Sequence, residues 1–209
     1  MAKPKNLTIC LLSDTTFGRG EGMAGMVDVE VEHDKNGLPF IGGKVLHGLL
    51  RDTYLSMWTP FKSLESAAEL VLGQEATLDP KKEAILEIKD AVLPKDVQDW
   101  ARYAVHRQTD PLRPEQILSS LTDIRRQTAQ SRKTGAPEKT TLRASRVVIR
   151  GISFQAPLIW RRDPKPEEKK VLALCALGTR HGGLGRNRGR GFLQLTLDGD
   201  IAKTRQLAV

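Results

Sequence analysis

Cysteine is nearly absent from this 209-residue chain: only Cys10 and Cys175 occur, each inside an apolar run, TICLL and LALCAL. Two buried-type thiols make no disulfide framework and no thiolate zinc site. The four histidines, His33, His47, His106 and His181, are scattered without paired Cys or Glu spacing, which excludes a zinc enzyme of the usual ligand pattern. Aromatic residues make up only 5% of the chain, too few for a broad base-stacking platform. Lys3 and Lys5 precede an apolar stretch, but it ends at Leu12, short of a secretory signal core. No run approaches the roughly eighteen apolar residues of a membrane span, so the expected location is cytoplasmic, with no membrane partner. Nucleotide-cofactor motifs are missing too. After Gly183 and Gly185 the dinucleotide pattern meets Arg188 where it needs glycine, and Gly43 stands where a Walker A start at Gly37 needs lysine.

Positive charge is what the chain has in excess. Its 33 Lys and Arg outweigh 25 Asp and Glu, giving +8 and a pI near 9.7, the balance of a protein that meets a polyanion. The length suits one domain carrying an insertion. Eight cations fall between Ser119 and Arg150 (Arg125, Arg126, Arg132, Lys133, Lys139, Arg143, Arg146 and Arg150), against Asp123 and Glu138 alone. The centre of that stretch, SRKTGAPEKTT, reads as polar and flexible.

Asn6 to Leu12 reads as a buried strand. The glycine-rich SDTTFGRGEGMAG after it, including Gly18 and Arg19, would let a backbone or phosphate come close. In MVDVEVEHD, Val27, Val29 and Val31 alternate with Asp28, Glu30 and Glu32, the pattern of a half-exposed strand. KVLHGLLRDTYLSMW carries Val45, Leu46, Leu49, Leu50 and Tyr54 at helical spacing. LESAAELVLG and KKEAILEIKDAV read as two further helices, so residues 61–145 are expected to form a helical insertion followed by a basic flexible segment. Val147 to Trp160 is strand material broken at Gly151 or Pro157, Pro164 to Leu177 is a helix, and GFLQLTL is a last strand. This order predicts one α+β domain over 1–209 with a ferredoxin-like (RRM-like) core, an architecture often used to lay RNA across a sheet. Trp58, Trp100 and Trp160, like Met23 and Met26, fit the core better than a base-stacking role.

The densest signal is GTRHGGLGRNRGRG, residues 178–191, with six glycines interleaved with Arg180, Arg186, Arg188 and Arg190. Glycines bring backbone N–H groups to phosphate oxygens, and guanidiniums grip those oxygens as a fork. A solvated basic hairpin is the bland alternative.

Gly183-Leu184-Gly185-Arg186-Asn187-Arg188-Gly189-Arg190-Gly191-Phe192 resembles the late glycine-rich loop of the RAMP superfamily of CRISPR–Cas type III effector subunits. Gly37-Leu38-Pro39-Phe40-Ile41-Gly42-Gly43-Lys44-Val45-Leu46-His47-Gly48-Leu49-Leu50-Arg51 is similar to that family's segment opening the first helix, with Gly42 in place of a proline and His47 in place of a lysine. The GLP turn and the Leu-Leu-Arg ending look closest to subtype III-D members. The resemblance implies a ferredoxin-like RAMP core and an antiviral role. It implies CRISPR RNA and target RNA as partners together with other type III effector subunits, and base pairing as the reader of sequence. RNA-binding positions on this reading are Gly18, Arg19, Lys44, His47, Arg51, Arg143, Arg146, Gly183, Gly185, Arg186, Arg188, Gly189 and Arg190.

Backbone subunits of the family carry an aspartate ahead of the proline-glycine segment that supports metal-dependent cutting of target RNA, and Asp28 is the matching position. It would hold Mg²⁺ beside the scissile phosphate or orient the attacking hydroxyl; the alternative is a carboxylate on the solvent face of a strand. His47, or His33, could serve instead as a general base on a ribose hydroxyl, although a histidine on an apolar helix is more often a packing or capping residue. Three functions therefore stand open: a backbone subunit that may cut target RNA as an endonuclease, a non-catalytic cap holding the guide 5′ handle, and a precursor-processing endoribonuclease.

Overall fold

A computed structural model describes residues 2–22, 27–57, 59–73, 84–129, 131, 133–136 and 141–209. Six strands and six helices are defined among them: β1 (Asn6–Leu11), α1 (Gly43–Ser56), α2 (Glu65–Leu72), β2 (Leu86–Ile88), α3 (Lys95–His106), α4 (Pro114–Leu121), β3 (Thr122–Gln127), β4 (Arg143–Val148), β5 (Ser153–Trp160), α5 (Pro166–Gly178), β6 (Leu193–Leu197) and α6 (Ile201–Ala208). The main sheet has the order β2-β5-β1-β6 with antiparallel neighbours. Taking β1-α1-β2-β5-α5-β6 as the core gives the βαββαβ order of a ferredoxin-like domain, as the sequence predicts.

Strand β1 sits at the centre because every second residue is aliphatic. Leu7, Ile9 and Leu11 are fully buried, and each such side chain contributes about 1.5–3 kcal/mol to the core. Leu46, Leu50 and Tyr54 of α1 and Val171, Leu172 and Cys175 of α5 belong to the same cluster. Burial pushes the Cys175 thiol up to about 12, so it behaves as a small hydrophobe. Helix α5 begins with Pro166 in its first turn, and Glu168 closes a capping box by accepting from the Lys165 N–H at 2.7 Å.

The alternate residues of the sheet face the other way, and register pairs Thr8 with Gln155 and Cys10 with both Ser153 and Gln194. On the strands this face carries no aromatic ring and no cation, and its one charge is the exposed carboxylate of Glu87 opposite Ile159. RNA laid across the sheet, the arrangement the architecture suggests, would find no ring to stack on there and no cation to meet its phosphates.

Three sequence readings change. KKEAILEIKDAV is not a helix in its described part: Leu86 and Ile88 are buried, Glu87 is exposed, and the three pair with Trp160, Ile159 and Leu158 as the sheet's edge strand. Tertiary pairing overrides helical spacing there, so the stretch 61–145 supplies one strand of the core as well as helices α2 to α4. The segment from Val27 to His33 is a chain of single bridges, Val29 to Ser145, Val31 to Gly18 and His33 to Pro39, and its alternation fails at Glu30, which is completely buried. Finally, the basic stretch holds a second sheet, the β3–β4 hairpin, with Ile124 opposite Arg146 and Gln127 opposite Arg143. The break after β4 falls at Gly151, while Pro157 lies inside β5 opposite Asn6. Of SRKTGAPEKTT, residues 132 and 137–140 lie outside the described residues, as do Met23, Met26 and Trp58.

Candidate nucleic-acid interface

Three glycine-rich or basic segments and the acidic 27–31 segment converge, and backbone bonds hold them together. The loop after β1 bonds to the glycine–arginine loop through Leu184 N–H to Thr16 O, 2.9 Å, and Gly191 N–H to Asp14 O, 3.1 Å. It bonds to β4 through reciprocal Thr15 and Val148 bonds, and to the 27–31 segment through Arg19 N–H to Glu30 O. The 27–31 segment bonds in turn to β4 through Asp28 N–H to Ala144 O and Arg146 N–H to Val29 O.

Two glycines of the loop are required by space as well as by conformation. Gly183, with φ of +76°, would place a Cβ 2.4 Å from the Thr16 carbonyl oxygen. Gly191, with φ of +70°, would place one 2.1 Å from the Gly182 oxygen. Arg186 to Arg188 form a single 3₁₀ turn between Gly185 and Gly189. Arg188 donates to Gln127 Oε1 at 3.3 Å and Arg190 to Ser145 Oγ at 3.3 Å, which ties the loop to both strands of the hairpin. Arg186 reaches Asp52 only at 3.8 Å between exposed side chains, a pair worth little.

The cations divide into two groups. Arg19, Lys44, Arg126 and Arg143 are exposed and have no ion-pair partner among the described residues. Others are already engaged. Arg125 bonds Asp14 at 2.7 Å. Arg146, expected among the RNA-facing cations, is 7% exposed instead. Its Nε donates to Glu30 Oε1 at 2.7 Å and its guanidinium to Thr122 Oγ1 at 3.2 Å, so this cation of the basic segment points into the fold.

His47 and Arg51, one turn apart on α1, face the end of α2. Arg51 donates to the Gly73 carbonyl at 3.4 Å, and His47 hydrogen-bonds the Leu72 backbone. This is the capping geometry in which cations and donors meet a helix C-terminus. Burial, reinforced by the positive charge of Arg51, holds the His47 pKa below 6.5. A histidine with a depressed folded pKa binds its proton more readily when unfolded, so its contribution is present above pH 6.5 and lost as pH falls through the folded value. Thermal stability is expected to drop on acidification below pH 6.5, and the drop to shrink in His47→Gln; melting curves from pH 7.5 to 5 with identical pH dependence in both proteins would refute the assignment.

The start of α1 is also occupied. Asp90 Oδ1 accepts from the Gly43 N–H at 2.8 Å, leaving the Lys44 ammonium rather than the helix end as the anion-binding group there. Nothing in the sequence near Gly43 announces Asp90, which arrives from the far end of β2.

Asp28 is exposed, and its Oδ2 accepts from the Ala144 N–H at 2.6 Å. The carboxylate is thus fixed beside Arg143, with Oδ1 unengaged among the described residues. Those residues hold no cluster of three or more metal-ligating side chains. A lone carboxylate fits Mg²⁺ when phosphate oxygens and water complete the coordination, as this ion prefers.

Of the three tryptophans, Trp160 is partly buried and donates to Pro4 O at 2.9 Å, whereas Trp100 is 55% exposed on α3, against the core reading. Among the described residues no helix is long and apolar enough to cross a membrane.

The whole chain is similar in fold to solved structures. One, from "Cryo-EM structure of the Type III-B Cmr-beta bound to cognate target RNA", matches with a TM-score of 0.69 at 12% identity, covering 99% of each chain. Another, from "Type III-B Cmr-beta Cryo-EM structure of the Apo state", matches at 0.67 and 12% identity over 94% of this chain and 98% of that one. No curated protein matches the sequence. The family model of the RAMP superfamily matches residues 8–194, a span that runs from within β1 to the start of β6 and includes the glycine–arginine loop, and the chain belongs to that superfamily.

Proposed function

We propose that this protein is a guide-RNA-binding backbone subunit of a type III CRISPR effector ribonucleoprotein, acting in antiviral defence and cutting bound target RNA at Asp28. The observation that carries the RNA-binding part is the set of cations with no ion-pair partner among the described residues, Arg19, Lys44, Arg126 and Arg143, on segments that meet around the glycine–arginine loop. Exposed arginine and lysine side chains suit phosphate contacts, which hold RNA of any sequence. The fold shared with chains of Cmr-beta complexes, one of them bound to target RNA, supports the effector setting.

In this reading Asp28 works from a fixed position, since the Ala144 N–H restrains Oδ2 and leaves Oδ1 for the reacting strand. Mg²⁺, held by Asp28 and RNA phosphate, would stabilise charge developing on the scissile phosphate. Co-purification of the tagged protein from its native host, with sequencing of bound RNA, tests the reading. Short repeat-derived RNAs with other effector subunits are expected; bulk RNA and no such partners would overturn it.

Asp28→Asn separates catalysis from structure, because an amide oxygen still accepts from Ala144. Target cutting is expected to fall on the order of 100-fold while guide retention is unchanged. Undiminished cutting in the reconstituted complex would remove Asp28 from the chemistry and favour the cap.

A further inference from the structure

A cleft of about 460 Å³ opens where the loop after β1, the start of α1 and the glycine–arginine loop meet. Phe17, Val29, Val45 and Leu184 line it. Val45 and Leu184 are about half exposed, at 46% and 52%, an apolar surface left open in the midst of a basic region. Glu32 is the one charged residue among the described lining residues, and its carboxylate has no partner among them. Part of the backbone around it is already engaged: Glu32 N–H bonds Phe17 O, Leu184 N–H bonds Thr16 O, and Gly42 O accepts from Val45 and Leu46. The carboxylate is the charged acceptor among the described lining residues. Arg19 and Lys44 are chain neighbours of the lining residues Gly18 and Val45, and Arg186 lies two residues beyond Leu184.

An apolar slot with one carboxylate inside and cations around its mouth is complementary to a nucleotide, whose ring is apolar on its faces and whose phosphate is anionic. A purely apolar side chain from a protein partner would bury the Glu32 carboxylate without a donor, at substantial cost. The bases differ in what they offer a carboxylate. Adenine and cytosine place a ring acceptor beside their amino donor, and uracil flanks its single N–H with two carbonyls. Guanine alone presents two adjacent donors, N1–H and the 2-amino group, which match both carboxylate oxygens. We propose that this cleft receives one unpaired guanine of the bound RNA, with its Watson–Crick edge on Glu32 and its phosphate toward Arg19, Lys44 and Arg186. The inference rests on the RNA-binding reading above.

The test uses the full chain and three short oligouridine RNAs that carry a single central guanosine, inosine or uridine, with affinity read by fluorescence anisotropy. Inosine lacks only the 2-amino group, so the guanosine RNA is expected to bind about tenfold more tightly than the inosine RNA. Glu32→Gln should erase that difference. Val45→Trp, a change at a half-exposed helix position, should fill the cleft and bring the guanosine RNA to the uridine level, with an unchanged melting curve showing that the fold is intact. Tight but equal binding of all three RNAs by the unaltered protein would overturn the guanine site and leave RNA binding standing. No binding of any RNA would overturn both. Equal affinity for guanosine monophosphate and the guanosine RNA would overturn the RNA version by giving the cleft to a free nucleotide.

Discussion

Replacing Glu30 with alanine is expected to cost about 3–5 kcal/mol of folding stability, among the largest effects available to a single change in this protein. Glu30 is fully buried, and its Oε1 accepts from both the Val31 N–H at 2.9 Å and Arg146 Nε at 2.7 Å. Truncation leaves the Arg146 guanidinium 7% exposed with only the Thr122 hydroxyl for company. An uncompensated buried charge costs more than the pair itself contributes, which is the reason for expecting a large effect. The double change Glu30→Leu with Arg146→Met should recover much of the loss, since neither charge is then buried. Urea unfolding of the two variants beside the unaltered protein measures this, and a Glu30→Ala cost below about 1 kcal/mol, the range of exposed pairs, would show that the pair is not buried in solution.

The second large effect concerns RNA. Removing Arg19, Lys44, Arg126 and Arg143 together is expected to make the plot of log affinity against log salt shallower by roughly 3, at about 0.7 per phosphate contact on a single strand. The loss should be similar for unrelated RNAs outside the single-guanine comparison, because phosphate contacts carry no sequence information. Filter binding across a potassium chloride series provides the measurement. An unchanged slope would mean that these four cations do not touch the backbone of the RNA. Arg146 is excluded from the set because its charge is matched inside the fold.

What could be read from the sequence followed local rules, and what could not depended on distant partners. β1, α1, α5 and β6 declare themselves by periodicity, by the prolines at the start of α5 and by Gly191, so the ferredoxin-like order was legible from the chain alone in all but one of its strands. β2 was not: three residues, Leu86 to Ile88, are too short to outweigh helical spacing around them, and only β5 makes them a strand. The candidate interface divides in the same way. Gly183, Arg186, Arg188 and Arg190 are visible as a run, and the loop stands where the sequence places it. Glu30, by contrast, looks like any outward residue of an alternating strand, and its inward turn follows from an arginine 116 positions away. His47 and Arg51 look like RNA ligands by charge, yet they meet Leu72 and Gly73, whose position no local pattern reveals.

The shape of the glycine–arginine loop is set by its main chain. Close packing of Gly183 on Thr16 and of Gly191 on Gly182 fixes it with or without a ligand. Arg186, Arg188 and Arg190 are consequently carried on a main chain whose course is set by backbone packing, with Arg188 and Arg190 tethered to Gln127 and Ser145. A polyanion that docks there needs little rearrangement of the loop. Preorganisation of this kind lowers the ordering cost of binding, so more of the contact energy appears as affinity.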